Sequence, residues 1–304
     1  MEVWAVITFA SAFLQNMRSA LQKHLKGRMG TTGATFARFG YGVPFAVAYL
    51  AILHYGLDRP LPVMNGPFWF WATVGAFAQI AATFLLVHLF SFRNFAVGTA
   101  YSRTEPAQAA LIALVLFGEK ITLPVIMAIV ISVVGVMLIS VARTAITPKA
   151  LLTSVLSRTA QIGLMSGLFF GVSGISYRQA SLALAPSLPQ PDAVMQAGFT
   201  LVVVILIQTI SMLAWMLLRD RQELGRVAAA WRIATLVGFV GATASFGWFI
   251  AMTLQQVAVV KALAQVEMLF TFASSVFVFK EKINGFEIAG CLLIVLGVLL
   301  LLVT

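Results

Sequence analysis

Long apolar stretches separated by short polar segments run along the whole chain. Each stretch has about 20 mostly apolar residues, the length that an α-helix needs to cross the hydrocarbon core of a membrane. The pattern predicts ten membrane-spanning segments, called spans 1 to 10, at residues 3–22, 33–55, 67–90, 95–117, 121–141, 158–182, 193–218, 230–254, 257–279 and 284–303. The least distinct boundaries lie between spans 3 and 4, at residues 91–94, and between spans 8 and 9, near Gln255.

Composition places the chain in a membrane rather than in water. Of its 304 residues, 61% are hydrophobic and 10% are charged, whereas a soluble protein is roughly 25% charged. This excludes a soluble enzyme, a secreted domain and a disordered protein. Cys291 is the single cysteine, so no disulfide framework is expected. No basic segment precedes the first apolar run, which favours a retained first span over a cleaved signal peptide.

The formal net charge of +10 comes mostly from one set of loops. Thirteen Lys and Arg residues lie in the loops after odd-numbered spans, and three, Arg59, Lys120 and Arg178, lie in the even-numbered loops. Basic residues in short loops mark the cytoplasmic side of a membrane. The bias predicts that the odd-numbered loops are cytoplasmic and that both termini lie on the non-cytoplasmic side. We expect a multi-pass protein of a bacterial-type inner membrane. The charge bias also removes the reason to expect a nucleic-acid partner.

The two halves of the chain match each other at an offset of 162 residues. Residues 117–121 align with residues 279–283, and both segments contain Glu-Lys-Ile. Glu105 aligns with Glu267. Each half has five spans, an odd number, so the second half starts on the opposite side of the membrane from the first. The two halves must therefore cross the membrane in opposite directions. Inverted repeats are an architecture of secondary transporters. We therefore expect an all-α membrane fold of two inverted five-helix repeats, residues 1–145 and 156–304, joined by a cytoplasmic linker, residues 146–155.

The same residues carry a resemblance to a known family. Residues 99–106 read Thr-Ala-Tyr-Ser-Arg-Thr-Glu-Pro, and residues 117–122 read Phe-Gly-Glu-Lys-Ile-Thr. Together with the apolar span that ends at Gly135 and Val136, they resemble the EamA repeat of the drug/metabolite transporter superfamily, and residues 280–298 resemble its second copy. Two positions depart from the pattern. Ala128 stands where the second copy has Gly290, and Lys280 stands where the first copy has Gly118. The resemblance implies ten helices around a central cavity, alternating access and export of small metabolites such as amino acids.

Two glutamates lie deep inside spans. Glu105 and Glu267 are each about ten residues into their spans, about 15 Å deep at a helical rise of 1.5 Å per residue. An ionisable group at that depth costs roughly 2.5–3.5 kcal/mol and normally faces a cavity or a partner. One interpretation is that they bind a cationic part of a substrate or exchange a proton. The other is that Arg18, Arg38 or Lys261 neutralises them and fixes helix packing.

Helical spacing places Tyr101, Glu105 and Gln108 on one face of span 4. Arg103 points nearly away from Glu105, so any ion pair that it makes must be with another helix. Pro106 frees the carbonyl of residue 102 from its helical hydrogen bond. A freed carbonyl at membrane depth is tolerated where it lines water or meets polar groups, and a proline kink that serves helix packing is the other interpretation. Span 9 has Met268 at the equivalent position, so a symmetric pair of interrupted helices is not predicted.

Further polar or aromatic residues inside spans are Asn16 and Arg18 on span 1, Gln79 on span 3 and Trp248 on span 8. Each of these residues can be explained either by a role in helix packing or by a role in a substrate-binding site. The candidate residues for substrate binding or coupling are Glu105, Glu267, Tyr101, Arg103, Gln108, Lys261, Asn16, Arg18, Gln79 and Trp248. No phosphate-binding Gly loop, metal-ligand spacing or nucleophile with a base is present in the sequence, so we expect no cofactor, no metal and no enzymatic activity.

These features favour a secondary transporter with spans 1, 3, 4, 6, 8 and 9 around the path, and the family resemblance implies that it exports small amphipathic metabolites. The expected partners are a small-molecule substrate, the lipid bilayer and, as a candidate coupling ion, protons, and the chain is expected to act as a monomer. An exchanger of phosphorylated metabolites or nucleotide sugars would instead bring Arg103, Lys261 and Arg38 into one pocket. A non-transporting membrane subunit would leave the charges at mid-depth fully paired.

Overall fold

The computed structural model describes residues 2–92, 101–118, 121–142, 157–270 and 285–303, and every regular element in these ranges is helical. The main helices are Val3–Lys26, Thr31–Gly40, Val43–Ala51, Gly66–Leu89, Glu105–Phe117, Leu123–Ala142, Arg158–Ala183, Ala193–Arg219, Arg221–Ala229, Trp231–Leu254, Val257–Leu263 and Gly285–Val303. The predicted linker, residues 146–155, lies outside the described residues.

The apolar pattern locates most helix ends well. The two least distinct boundaries are real breaks, because one helix ends at Leu89 and another at Leu254, where Gln255 has an extended backbone. Five helical segments of the described chain are long and apolar enough to cross a membrane. They are Thr31–Gly56, Gly66–Leu89, Arg158–Ser187, Ala193–Arg219 and Trp231–Leu254.

Span 2 corresponds to the segment Thr31–Gly56 and contains a short irregularity. It is interrupted between Gly40 and Val43 and ends in a π-helical turn, Ile52–Gly56. Span 8 packs directly on the interruption, since a Cβ atom added to Gly238 would lie 2.3 Å from the carbonyl carbon of Tyr41. The glycine therefore lets the backbone of span 8 reach the backbone of span 2.

Helix packing follows the repeat. Span 3 packs extensively on span 6, and its counterpart, span 8, packs on span 1. Spans 2 and 7, 4 and 9, and 5 and 10 pack as pairs of counterparts. This is the pattern expected for two five-helix repeats related by a twofold axis.

The interface of spans 5 and 10 shows the repeat at atomic detail. A Cβ atom on Gly135 would lie 2.6 Å from the carbonyl oxygen of Gly290, and one on Gly297 would lie 2.9 Å from that of Ala128. Both pairs of counterparts, Gly135 with Gly297 and Ala128 with Gly290, are 162 residues apart. The two backbones thus approach each other reciprocally at small residues, as in other tightly packed membrane helices.

Polar contacts tie loops together at both ends of the bundle. At one end, Arg59 forms an ion pair of 2.8 Å with Asp192, whose carboxylate also accepts from the N–H groups of Val194 and Met195 at the start of span 7. At the other end, the short helix Arg221–Ala229 lies against the start of span 2. There Glu223, 3% exposed, accepts a hydrogen bond of 2.7 Å from the N–H of Gly30. The carboxylate satisfies an amide that the helix itself leaves unpaired.

Candidate functional site

A polar cavity of about 60 Å³ lies in the middle of the bundle, between the two repeats. Spans 1, 3, 4, 6, 8 and 9, the ones expected around the path, all contribute to its wall, and spans 2 and 7 contribute as well. Its volume is well below the roughly 300–1,000 Å³ of ordinary small-molecule sites. The structure therefore has the cavity in a narrow form.

Span 4 is interrupted at the cavity. Residues 101 and 102 are helical, a turn follows at Arg103 and Thr104, and the helix Glu105–Phe117 begins directly after it. Pro106 lies in the first turn of that helix, where its missing N–H removes no helical hydrogen bond. The Thr104 hydroxyl donates to the carbonyl of Tyr101 at 2.8 Å. Ser102 and Arg103 line the cavity, so the turn lies at the cavity wall.

Span 9 is interrupted at the equivalent place, although its sequence lacks the proline. The helix Val257–Leu263 passes into a 3₁₀ turn, Ala264–Val266, and Glu267 follows it. The expectation that spans 4 and 9 are not a symmetric pair of interrupted helices is therefore wrong. The Gln265 side-chain amide donates to the carbonyl of Arg103 at 2.9 Å. Residues 103 and 265 are counterparts in the repeat, so the interruption of span 4 and that of span 9 are in direct contact.

One glutamate is neutralised across the repeat interface by an arginine. Arg103 Nη1 donates to Glu267 Oε2 at 2.8 Å, and Arg103 Nη2 donates to Glu267 Oε1 at 3.0 Å. The pair is bidentate, the strongest geometry for a guanidinium and a carboxylate. The Glu267 side chain is 3% exposed and that of Arg103 is 24% exposed. Arg103 was not among the bases expected to neutralise a glutamate.

The second glutamate is neutralised in the reverse direction. Lys261 Nζ from span 9 lies 2.9 Å from Glu105 Oε1 on span 4. The ammonium also lies 4.9 Å from the centre of the Trp248 ring, a distance suitable for a cation–π contact. Each repeat thus supplies one acid and one base, and each acid pairs with the base of the other repeat.

Gln15 links the two ion pairs through span 1. Its amide nitrogen donates to Glu267 Oε2 at 3.2 Å, and its amide oxygen accepts from the indole N–H of Trp248 at 3.1 Å. A continuous set of polar contacts therefore runs from Glu105 through Lys261, Trp248, Gln15 and Glu267 to Arg103. We call these six residues the cross-repeat network.

Two more arginines line the same cavity outside this network. Arg18 is 2% exposed and Arg38 is 5% exposed. Arg38 donates to the Thr83 hydroxyl at 2.8 Å, and the Gln79 amide oxygen accepts from both Arg38 terminal nitrogens at 2.9 and 2.7 Å when its nitrogen faces Ser173. These partners are neutral. In the part of the chain that the structure describes, neither arginine is within ion-pair distance of a carboxylate.

Comparison with known proteins identifies the family. A model described as the EamA-like transporter family matches residues 3–141 and 158–303, one copy on each repeat. The chain belongs to the EamA-like transporter family. This confirms the resemblance and the all-α membrane fold, and the family is one of transporters rather than enzymes.

A solved structure titled "Crystal structure of protein" has the same fold as this EamA-like transporter. It is 17% identical, with a TM-score of 0.68, and the match covers 98% of this chain and 95% of that one. At that identity the likeness extends to the fold alone. No curated protein sequence matches the chain.

Seven of the ten predicted site residues line the cavity of this EamA-like transporter: Glu105, Glu267, Arg103, Lys261, Arg18, Gln79 and Trp248. The other three are elsewhere. Tyr101 packs against Ala160 in a separate cluster, the Gln108 amide donates to the Thr104 hydroxyl at 2.7 Å, and Asn16 is half-buried away from the cavity wall. Tyr101 is displaced because the turn at residues 103–104 separates it from the helix that carries Glu105. Gln108 is on the same helix as Glu105, but its amide is held by the Thr104 hydroxyl instead of facing the cavity.

Several lining residues were not among the predicted ones. They are Gln15, Arg38, Ser173, Tyr177, Gln208 and Ser245. The Gln208 amide donates to the Tyr177 hydroxyl at 3.0 Å, and that hydroxyl donates to the carbonyl of Gly75 at 2.9 Å. A lone amide such as Gln208 in the apolar run of span 7 is the available signal, because an amide inside a membrane needs hydrogen-bond partners.

Proposed function

We propose that this EamA-like transporter is a secondary transporter that exports small metabolites, in particular amino acids or related amphipathic compounds, by alternating access through the central cavity. The observation that carries the proposal is the cross-repeat network. Acids and bases from both repeats meet in one cavity, where a substrate bearing an ammonium and a carboxylate finds a partner for each group. Interrupted helices at a repeat interface are a typical substrate site in secondary transporters.

The network supports a specific way of coupling binding to movement. Both ion pairs join the two repeats, so they must break or exchange partners when the repeats move apart. A substrate ammonium can replace a basic side chain on Glu105 or Glu267, and a substrate carboxylate can replace an acidic side chain on Arg103 or Lys261. A ligand shifts a conformational equilibrium only through contacts that differ between the states, and this exchange supplies such contacts. The narrow cavity fits this mechanism because substrate must enter by opening it.

The cellular setting is part of the proposal. The distribution of basic loop residues supports an inner membrane with both termini on the non-cytoplasmic side. We expect the protein to act as a monomer, with the two repeats supplying both halves of the path. Glu105 and Glu267 are the candidates for proton coupling.

A second candidate function is exchange of phosphorylated metabolites or nucleotide sugars. The observation in its favour is that Arg38, Arg103 and Lys261 line one cavity, as that function requires. A non-transporting subunit is less well supported, because it would leave the charges at mid-depth fully paired. Arg18 and Arg38 have no acidic partner among the described residues.

Efflux from proteoliposomes tests the proposal. Vesicles loaded with a labelled amino-acid mixture should lose label faster with wild-type protein than without protein. Glu105→Gln should abolish the difference, because the amide cannot neutralise Lys261 or hold an ammonium. Asp58→Asn, an exposed loop carboxylate, is the matched control and should export normally. Unchanged efflux in a folded Glu105→Gln variant would contradict the role assigned to Glu105.

A further inference from the structure

The cavity wall carries more positive than negative charge. Six charged side chains line it: Arg18, Arg38, Arg103, Lys261, Glu105 and Glu267. Four bases and two acids give the described part of the wall a formal charge of +2. Both oxygens of Glu267 accept from Arg103, and Glu105 is paired with Lys261. The excess charge therefore lies on Arg18 and Arg38.

The stems of Arg18 and Arg38 both pack close to one glycine. A Cβ atom at Gly241 on span 8 would be 3.4 Å from Cδ of Arg18 and 3.4 Å from Cγ of Arg38. The two guanidinium groups thus extend from neighbouring points of the wall. Without Cβ at residue 241, span 8 leaves room for both stems.

The two arginines differ in their hydrogen-bond partners. Arg38 is oriented by the neutral oxygens of Thr83 and Gln79, which leave its charge uncompensated. Arg18 is 2% exposed, and its buried Nε has no hydrogen-bond partner. Glu267 attracts Arg18, but its carboxylate is already paired with Arg103, and Arg18 also repels Arg38. Two buried positive charges that share one already paired acid are unfavourable. Guanidinium groups bind carboxylates and phosphates through paired hydrogen bonds, so an anion between them satisfies both.

We propose that Arg18 and Arg38 form a subsite for the anionic group of the transported metabolite, a carboxylate or a phosphate, and that the substrates carry net negative charge. The inference rests on the proposed function, since it names the substrate class of the same cavity. Within that class it selects acidic amino acids and other organic anions over neutral and basic amino acids. The cross-repeat network then remains available for an ammonium or hydroxyl elsewhere on the ligand.

Binding to the purified protein tests this without depending on transport. Thermal stabilisation is measured with L-glutamate and with L-glutamine, which differ by one negative charge, at constant chloride concentration. Inorganic phosphate and succinate in separate arms distinguish a phosphate site from a carboxylate site. We expect at least one of the anions to stabilise the wild-type protein, and glutamine to stabilise it much less than glutamate does if carboxylates bind.

Variants locate the subsite. Arg18→Gln and Arg38→Gln should each weaken anion binding by roughly tenfold to a hundredfold, the range for loss of a hydrogen bond to a charged group. Arg59→Gln removes an arginine from a loop and should bind as the wild type does. Gly241→Leu keeps all charges but fills the space next to both arginine stems, so it should also lose anion binding.

Three results would overturn the inference. They are equal stabilisation by glutamate and glutamine with none by phosphate or succinate, no stabilisation by any of these anions, and anion binding that survives in Arg18→Gln and Arg38→Gln. Anion binding that requires both arginines, in a protein that moves no label in proteoliposomes, would support the subsite and contradict the proposed function. Export of neutral amino acids without anion binding would support the proposed function and contradict the subsite.

Discussion

The ion pair between Arg103 and Glu267 should be one of the strongest single contacts between the repeats. Its carboxylate is 3% exposed and accepts both hydrogen bonds of a bidentate pair. Breaking a buried pair by removing one partner typically costs about 3–5 kcal/mol, because the remaining charge stays buried. Arg103→Gln should approach this range, since it leaves a buried carboxylate. Glu267→Gln should cost less, about 2 kcal/mol, because the guanidinium that remains is a quarter exposed.

A double-mutant cycle separates the pair from its surroundings. The variant with both substitutions should be more stable than the sum of the single effects predicts, with a coupling energy of about 1–3 kcal/mol. The free energy of unfolding is measured by denaturant titration in detergent micelles. A double-mutant cycle of Arg59 and Glu267 is the matched control, because Arg59 pairs with Asp192 in a loop and does not contact Glu267. The coupling energy of this control cycle should be within about 0.5 kcal/mol of zero. Equal coupling energies in the two cycles would refute the assignment of a direct Arg103–Glu267 contact.

Three other predictions concern packing, loops and orientation. Gly135→Ala should destabilise the protein by about 1–3 kcal/mol because its Cβ would lie 2.6 Å from a carbonyl oxygen of span 10. Gly225→Ala, whose Cβ would have no atom within 4 Å, should be neutral or stabilising. Thermal unfolding of both variants measures the difference, and equal losses of stability would contradict the close packing at Gly135. Glu223→Ala should cost about 1 kcal/mol and speed hydrogen exchange at Gly30, whose N–H it caps; unchanged exchange would count against that contact. In a Cys291→Ala background, Lys149→Cys should react with an impermeant thiol reagent only from the cytoplasmic side, and labelling from outside would reverse the predicted orientation.

The helices were predictable because an apolar run in a membrane protein ends where polar residues begin. The helix Trp231–Leu254 begins one residue from its predicted start. The break in span 2 had a local signal, Pro44 with glycines at positions 40 and 42, which a hydropathy pattern averages away. The interruption of span 9 had no such signal, because residues 264–266 read Ala-Gln-Val. A contact with the other repeat, from Gln265 to the carbonyl of Arg103, accompanies it.

The residue types of the site were predictable, but their partners were not. A charged residue inside an apolar span is conspicuous in any sequence, which is why Glu105, Glu267 and Lys261 were found. The choice of Arg103 for Glu267 depends on how two interrupted helices are aligned, and on the turn at residues 103–104. Neither is encoded by spacing within one helix. The repeat offset gave the equivalence of the two glutamates but not the exchange of their partners.

Alternating access through the central cavity is tested most directly by labelling a cysteine placed inside it. Ser245→Cys, in the Cys291→Ala background, puts a thiol on the cavity wall, and Leu111→Cys puts one on the exposed apolar surface of span 4 as a control. An impermeant thiol reagent is applied to oriented vesicles from each side in turn. The account predicts that Ser245→Cys reacts from both sides, whereas Leu111→Cys reacts from neither. Reaction of Ser245→Cys from one side only, or from neither side, would contradict a transport path through this cavity.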